Sequence, residues 1–387
     1  MARFLLHSEV IADYRGILAS PGAILLDGNY IEAVGSPQDI GLPEGVQFAQ
    51  INGMVTPSFV NAHAHLDLSS VGPVLQKESF ADWLIEIVRP IRLDKSRIHE
   101  NVVKGIELSL VGGCRIVGDI AGSQLAAEIT TESELLSVSF VEIIGFGHSQ
   151  GAAIETLHGI PDQFEISPHA PYTCSKEVYK ACFESNKKVS THLSESIGEL
   201  EFVQNHRGEL FNYLSTLDSW DEQTHPWGQH PIDGLLEIAN GAPFVAAHLN
   251  YIEDRHLDLI ATSNMSVAYC PRASTYFGHA DHRWREMDAA GVNVALGTDS
   301  LLCLDTPDRI SVLDEMRLLY QRDNADSKVL FAMATVNGAN ALGVDPTLVT
   351  LDLGKTAGLL AFEGCDTLDA MLSTSILPEW IYTSSSK

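Results

Sequence analysis

From residue 3 to residue 56 the chain alternates short apolar runs with turn signals. Apolar stretches at 23–26 and 30–34 flank Asp27-Gly28-Asn29, and Gly35-Ser36-Pro37 follows. Gly and Asn tolerate the positive φ of a tight turn, so this spacing predicts a hairpin within a small β-sheet module. Beyond residue 56 the pattern changes. Strand-like segments at 55–61, 115–120, 138–145, 164–168, 188–192, 244–248, 266–270 and 292–297 are separated by stretches of helical spacing, including 98–110, 176–185, 252–261 and 313–322. Such alternation calls for parallel strands joined by crossover helices, and eight units call for closure. The expected fold is α/β, a (β/α)8 barrel of TIM type. A strand-like run returns at 358–362 and is expected to pair with the amino-terminal sheet. The predicted organisation is a small discontinuous β-sandwich-like domain from 1–56 and 345–387, and a barrel at 57–344. The stretch 208–231 carries Trp220, His225, Trp227 and two prolines; it is too long for a bare connection and reads as a helix followed by a lid or active-site loop.

A chain of 387 residues holds one large core and a small companion, because single cores stop growing at roughly 250–300 residues. With 24 basic and 51 acidic side chains the net charge is −27, and the carboxylates are spread along the chain. That charge repels phosphate backbones and anionic membrane surfaces, so a small molecule is the expected partner and nucleic acid is not. No apolar run approaches the roughly 18 residues of a membrane span. Six cysteines without a C-x-x-C pair, and a start without a signal-peptide core, lead to the expectation of a reduced cytoplasm. No G-x-G-x-x-G follows a strand, so dinucleotide redox chemistry has no support. A homodimer is left open, two-fold assemblies being common among soluble enzymes.

The candidate chemistry lies where predicted strands end. His63 and His65 close the apolar run 54–60, and residues i and i+2 of a strand point to the same side. Alone, the pair is either half of a metal site or two unrelated histidines. The later strand ends decide between these: His169 follows the fourth, His192 and Glu195 the fifth, His248 the sixth and Asp299 the eighth. Barrel enzymes carry their catalytic groups at these ends. Three or four His/Asp donors with an open position suit one divalent ion, zinc by default, although iron or manganese accepts the same set. Such an ion lowers the pKa of a bound water to about 7. Glu195, just beyond His192, is placed for general acid/base work.

These segments resemble a family. Asn61-Ala62-His63-Ala64-His65, Ser167-Pro168-His169-Ala170-Pro171-Tyr172, His192-Leu193-Ser194-Glu195, Ala247-His248 and Leu296-Gly297-Thr298-Asp299-Ser300 are similar, in this order, to motifs of the amidohydrolase superfamily. The branch resembled is that of mononuclear-metal deaminases and chlorohydrolases acting on amino-heterocycles. The resemblance implies His63, His65, His192 and Asp299 as metal ligands, with His248 contacting the attacking hydroxide or the developing oxyanion. Glu195 would carry a proton to the ring nitrogen, and Asp299 would pass one to departing ammonia. Two-metal members commonly use a strand-four lysine. Here that strand, 164–168, has none, so a single metal is expected.

Phe80-Ala81-Asp82-Trp83-Leu84 resembles a segment of deaminases for adenosine-like compounds. Trp83 then either stacks on a heterocycle or packs in a core, and His169 either reaches the substrate or closes the barrel mouth. Some nucleoside deaminases carry a ribose-binding acid where this chain has Arg92, two positions after Pro90. Arg92 meets a substrate carboxylate or forms a surface ion pair. A carboxylate-bearing adenine nucleoside such as 6-amino-6-deoxyfutalosine is therefore the expected substrate. The competing activities are adenosine or S-adenosylhomocysteine deamination, deamination of guanine, cytosine or a pterin, chlorohydrolysis, and cyclic-amide opening. A non-catalytic binding protein is the competitor of another class, and it is disfavoured because no ligand or acid is missing.

Overall fold

The computed structural model describes residues 3–221, 227–279 and 281–383. Five strands come first: β1 (Arg3–Asp13), β2 (Gly16–Ala19), β3 (Gly22–Asp27), β4 (Tyr30–Gly35) and β5 (Gln47–Pro57). β3 and β4 form the expected hairpin, with Gly28 supplying the left-handed turn residue at φ 59°. Leu6, Ile11, Ile24, Leu26, Ile31 and Val55 make a core for this sheet, separate from that of the barrel.

The apolar run 54–60 does not form one strand, contrary to expectation. Pro57 ends β5, and the barrel begins with β6 (Phe59–Ala64). Proline cannot donate to a ladder, and at Ser58, whose N–H donates 2.9 Å to the Gly358 carbonyl, the chain passes from one sheet to the other. The strand therefore runs further than predicted and takes His63 with it. β7 (Cys114–Ala121), β8 (Leu136–Ile143), β9 (Glu165–Pro168), β10 (Ser190–Leu193), β11 (Phe244–His248), β12 (Met265–Tyr269) and β13 (Val294–Leu296) follow. They make two parallel runs in sequential order, β6 to β9 and β10 to β13. Parallel bridges at Ile166–Val189 and Ala64–Asp299 join the runs on both sides and close the barrel. Every residue of β7 and β11 is buried, Arg115 and Asp119 of β7 included, as expected for parallel strands covered on both faces.

Helices cover the barrel. In Lys176–Glu184 the Ser175 hydroxyl accepts from Val178 N–H, and Val178, Tyr179 and Cys182 share the buried face. Burying Val178 alone contributes about 1.5–3 kcal/mol. Two excursions roof the carboxyl ends of the strands. One is the helical stretch Phe80–Trp83, Leu84–Val88 and Arg89–Leu93, whose middle part is a π-helical turn. The other holds helices Ile197–Asn205 and Glu209–Leu214, so the expected helix at the start of 208–231 is present. His225 lies outside the described residues.

The chain then returns to its first sheet through β14 (Gly354–Lys355), β15 (Gly358–Glu363) and β16 (Glu379–Thr383). β14 pairs with β4, and β15 lies antiparallel to β5 with Leu360 opposite Thr56. All six cysteines are buried and unpaired. Among the described residues no helix is long and apolar enough to cross a membrane.

Candidate functional site

Five strand-end residues meet at the barrel mouth. His63 lies in β6 and His65 follows it, His192 lies in β10, His248 ends β11, and Asp299 follows β13. The donor atoms of His63, His65 and Asp299 lie within 4.8 Å of one another, as do those of His63, His192 and His248. His65 Nε2 is 3.0 Å from His192 Nε2 and 3.5 Å from Asp299 Oδ1. The backbone bends sharply to bring them there. Ser194, His248, Leu249 and Asp299 all have positive φ, between 54° and 75°, and such strain in non-glycine residues gathers at functional sites.

The donor set fits a metal ion. Both ring nitrogens of His63 and Nε2 of His248 are buried without a hydrogen-bond partner, which is costly unless something else satisfies them. Burial and the neighbouring imidazoles hold His63, His65 and His248 well below the ordinary histidine range, and burial first, then His169, takes His192 down to about 3. These rings are neutral, the form that ligates. The His192 orientation is set from behind: its Nδ1 donates 2.8 Å to the His169 carbonyl, leaving Nε2 bare toward the cluster.

Glu195 stands beside this cluster, its Oε1 3.6 Å from His248 Nε2. Burial, then the charges of Asp299 and Glu199, pushes its carboxyl well above the usual range. Burial also raises Asp299, an effect that a dication among these residues would offset. Glu199 holds the turn that carries the acid, accepting the Ser194 and Glu195 N–H groups at 2.8 Å each.

Above the cluster is a cavity of about 270 Å3. His65, His169, His192, Glu195 and Asp299 contribute its polar end, and Phe80, Trp83, Tyr172, Leu210 and Leu214 its apolar walls. Of the three expected substrate contacts, all line this cavity, each with a protein partner as well. Trp83 packs edge-on against Phe277 at 5.1 Å. His169 Nδ1 is 2.6 Å from the Thr173 hydroxyl, so it combines a place in the cavity with closure of the mouth. Arg92 is not at the surface but within a pocket of acids: Nε is 3.3 Å from Asp67, Nη1 3.2 Å from Glu142, and Nη2 3.1 Å from His65 Nδ1. Arg272 turns away from the cavity into an ion pair with Glu315 at 2.7 Å.

Sequence reasoning passed over Glu142 and Glu199. Glu142 sits near the end of the third barrel strand, β8, in the same strand-end position that drew attention to the histidines, and its carboxylate lines the cavity. Glu199 is four residues beyond Glu195, and only the folded turn shows that its carboxylate reaches back.

Similar proteins of this build include several deaminases and a triazine hydrolase. A 5-methylthioadenosine/S-adenosylhomocysteine deaminase of Moorella thermoacetica is 26% identical, over 93% of this chain and 85% of its own length. The structure of Helicobacter pylori aminofutalosine deaminase in complex with methylthio-coformycin superposes with a TM-score of 0.81 over 99% of both chains, at 20% identity. An adenosine deaminase from Xanthomonas campestris with bound zinc gives 0.78 over 100% of this chain and 94% of its own, at 18% identity. Residues 54–387 match the model of the amidohydrolase family, and the chain belongs to that family.

Proposed function

We propose that the substrate of this hydrolytic deaminase is an adenine nucleoside, with 6-amino-6-deoxyfutalosine as the leading candidate. One observation carries the chemistry: Glu195, His248 and Asp299 place donor atoms within 4.8 Å of one another at the polar end of an otherwise apolar cavity. The similarity to deaminases of adenine nucleosides supports the choice of ring. His63, His65, His192 and Asp299 are the proposed holders of one zinc ion, the default for a mixed nitrogen and oxygen donor set. When bound, the ion supplies acidification of water and stabilisation of negative charge.

The protein groups do the rest. Burial favours the protonated form of Glu195, and it donates to the ring nitrogen next to the carbon bearing the amino group. That keeps charge off the ring as water adds to the carbon. Asp299 accepts a proton from the attacking water and returns it to the amino nitrogen, which leaves as ammonia. His248 faces the new oxygen and stabilises the charge that develops there. As ammonia leaves and the carbonyl forms, the proton remaining on the new oxygen restores Glu195, so that one water is consumed, one ammonia released and a lactam-type ring formed.

The test is ammonia release and ring-product identification with the metal-loaded protein on 6-amino-6-deoxyfutalosine, adenosine, S-adenosylhomocysteine, 5-methylthioadenosine, guanine and cytosine. Turnover of a nucleoside at a kcat/KM at least tenfold above the free bases is expected. Turnover of guanine or cytosine alone would overturn the nucleoside assignment while leaving the deaminase.

A further inference from the structure

Two arginines line the cavity, and they are in opposite states. Arg92 is spent, each of its three nitrogens facing Asp67, Glu142 or His65. Arg89 lies three residues earlier in the same short helix, Arg89–Leu93, and therefore on the same side. It is exposed, it lines the cavity, and among the described residues its guanidinium has no hydrogen bond or ion pair. The acid nearest in sequence, Glu86, is held by Lys77 at 2.7 Å. The chain carries 51 acidic side chains against 24 basic ones, yet none of the described carboxylates pairs with this arginine at the cavity wall.

Resting on the deaminase reading above, we infer that Arg89 is the specificity residue for an anionic group at the end of the substrate remote from the reacting ring. The amino-bearing ring must lie against Glu195 and Asp299, at the polar end. The remainder of the molecule then runs along the apolar wall, past Val88 and Tyr213, which share that wall with Arg89. A guanidinium presents a planar fork that suits a carboxylate in bidentate fashion. A monoanionic carboxylate matches the single charge that Arg89 supplies, Arg92 being already neutralised by Asp67 and Glu142. Arg92, held between Asp67 and Glu142, orders the wall beneath.

The experiment compares two nucleosides with the same ring, 6-amino-6-deoxyfutalosine, which bears a carboxylate, and 5-methylthioadenosine, which does not. Steady-state ammonia release is measured with the metal-loaded wild type, Arg89→Met and Arg89→Lys. The ratio of kcat/KM for the carboxylate substrate over the neutral one is expected to fall about 10- to 50-fold in Arg89→Met, through KM, with partial recovery in Arg89→Lys. Raising the salt concentration should lower the wild-type ratio and leave that of Arg89→Met level. A ratio unchanged within twofold, with the wild type active on both nucleosides, overturns the Arg89 assignment and leaves the deaminase reading standing. Absence of ammonia from both substrates with the wild type overturns the nucleoside reading, and the Arg89 assignment falls with it.

Discussion

The carboxylate of Glu199 accepts both the Ser194 and the Glu195 N–H groups, each at 2.8 Å, and so fixes the turn from which Glu195 faces the histidine cluster. Ser194 stands at φ 55°, a conformation that a serine does not hold without such support. Glu199 is thus a positioning residue. In Glu199→Gln one acceptor survives and the other becomes a donor facing an N–H. The expected result is a loss of about 10- to 100-fold in kcat with KM little changed. A loss confined to thermal stability, with kcat intact, would show the contact to be structural only.

Gly297 packs at the point where β13 meets β6. A Cβ there would lie 2.8 Å from His63 Cβ and 2.9 Å from Cys270 Sγ. Gly297→Ala is expected to push His63 out of line, costing about 1–3 kcal/mol of stability and lowering metal content after dialysis. Urea titration and elemental analysis measure the two effects.

His282 sets a pH dependence that can be isolated. Its Nε2 donates 2.7 Å to the His248 carbonyl and its ring stacks on Tyr269 at 3.6 Å, while burial holds its pKa down to about 3. Because the folded value lies below the unfolded one, about 6.5, the unfolded chain binds a proton that the native chain refuses. The stability contribution of His282 is full above pH 6.5 and is lost as pH falls toward 3. Buried carboxylates with raised values, such as Glu315 at about 7, act with the opposite sign over their own range. The difference between wild type and His282→Gln separates the two: below pH 6 the wild-type stability should fall more steeply, by up to about 1.4 kcal/mol per pH unit.

The positions of the five clustered residues were legible because barrel chemistry concentrates at strand ends, and a histidine or aspartate closing an apolar run is visible in a single sequence. The alternation of strands and helices was legible for the same reason of periodicity. What escaped depends on partners distant in sequence. Pro57 divides the run 54–60 because Gly358, far along the chain, takes up the next N–H. Arg92 was weighed as a carboxylate contact because nothing local reveals that Asp67 and Glu142 already face it. Arg89 drew no attention, since an unpaired arginine is recognised only when its neighbours are known.

Metal removal should be felt by the whole barrel. A ligand bound only by the native state adds RT ln(1 + [L]/Kd), about 2.7 kcal/mol at a hundredfold excess over Kd. Chelation is therefore expected to lower Tm, and adding back one equivalent of zinc per chain to restore both Tm and ammonia release. A Tm indifferent to chelation, in protein shown free of metal, would argue against an ion in this cluster.

The most direct test is ammonia release by metal-loaded Glu195→Gln beside wild type on the preferred nucleoside. The variant keeps the shape of the side chain and loses the proton it delivers. A fall of about 10² to 10⁴ in kcat with metal content unchanged is the predicted result. A variant that retains wild-type turnover would contradict the assignment of Glu195 as the proton carrier, and with it the account of the site.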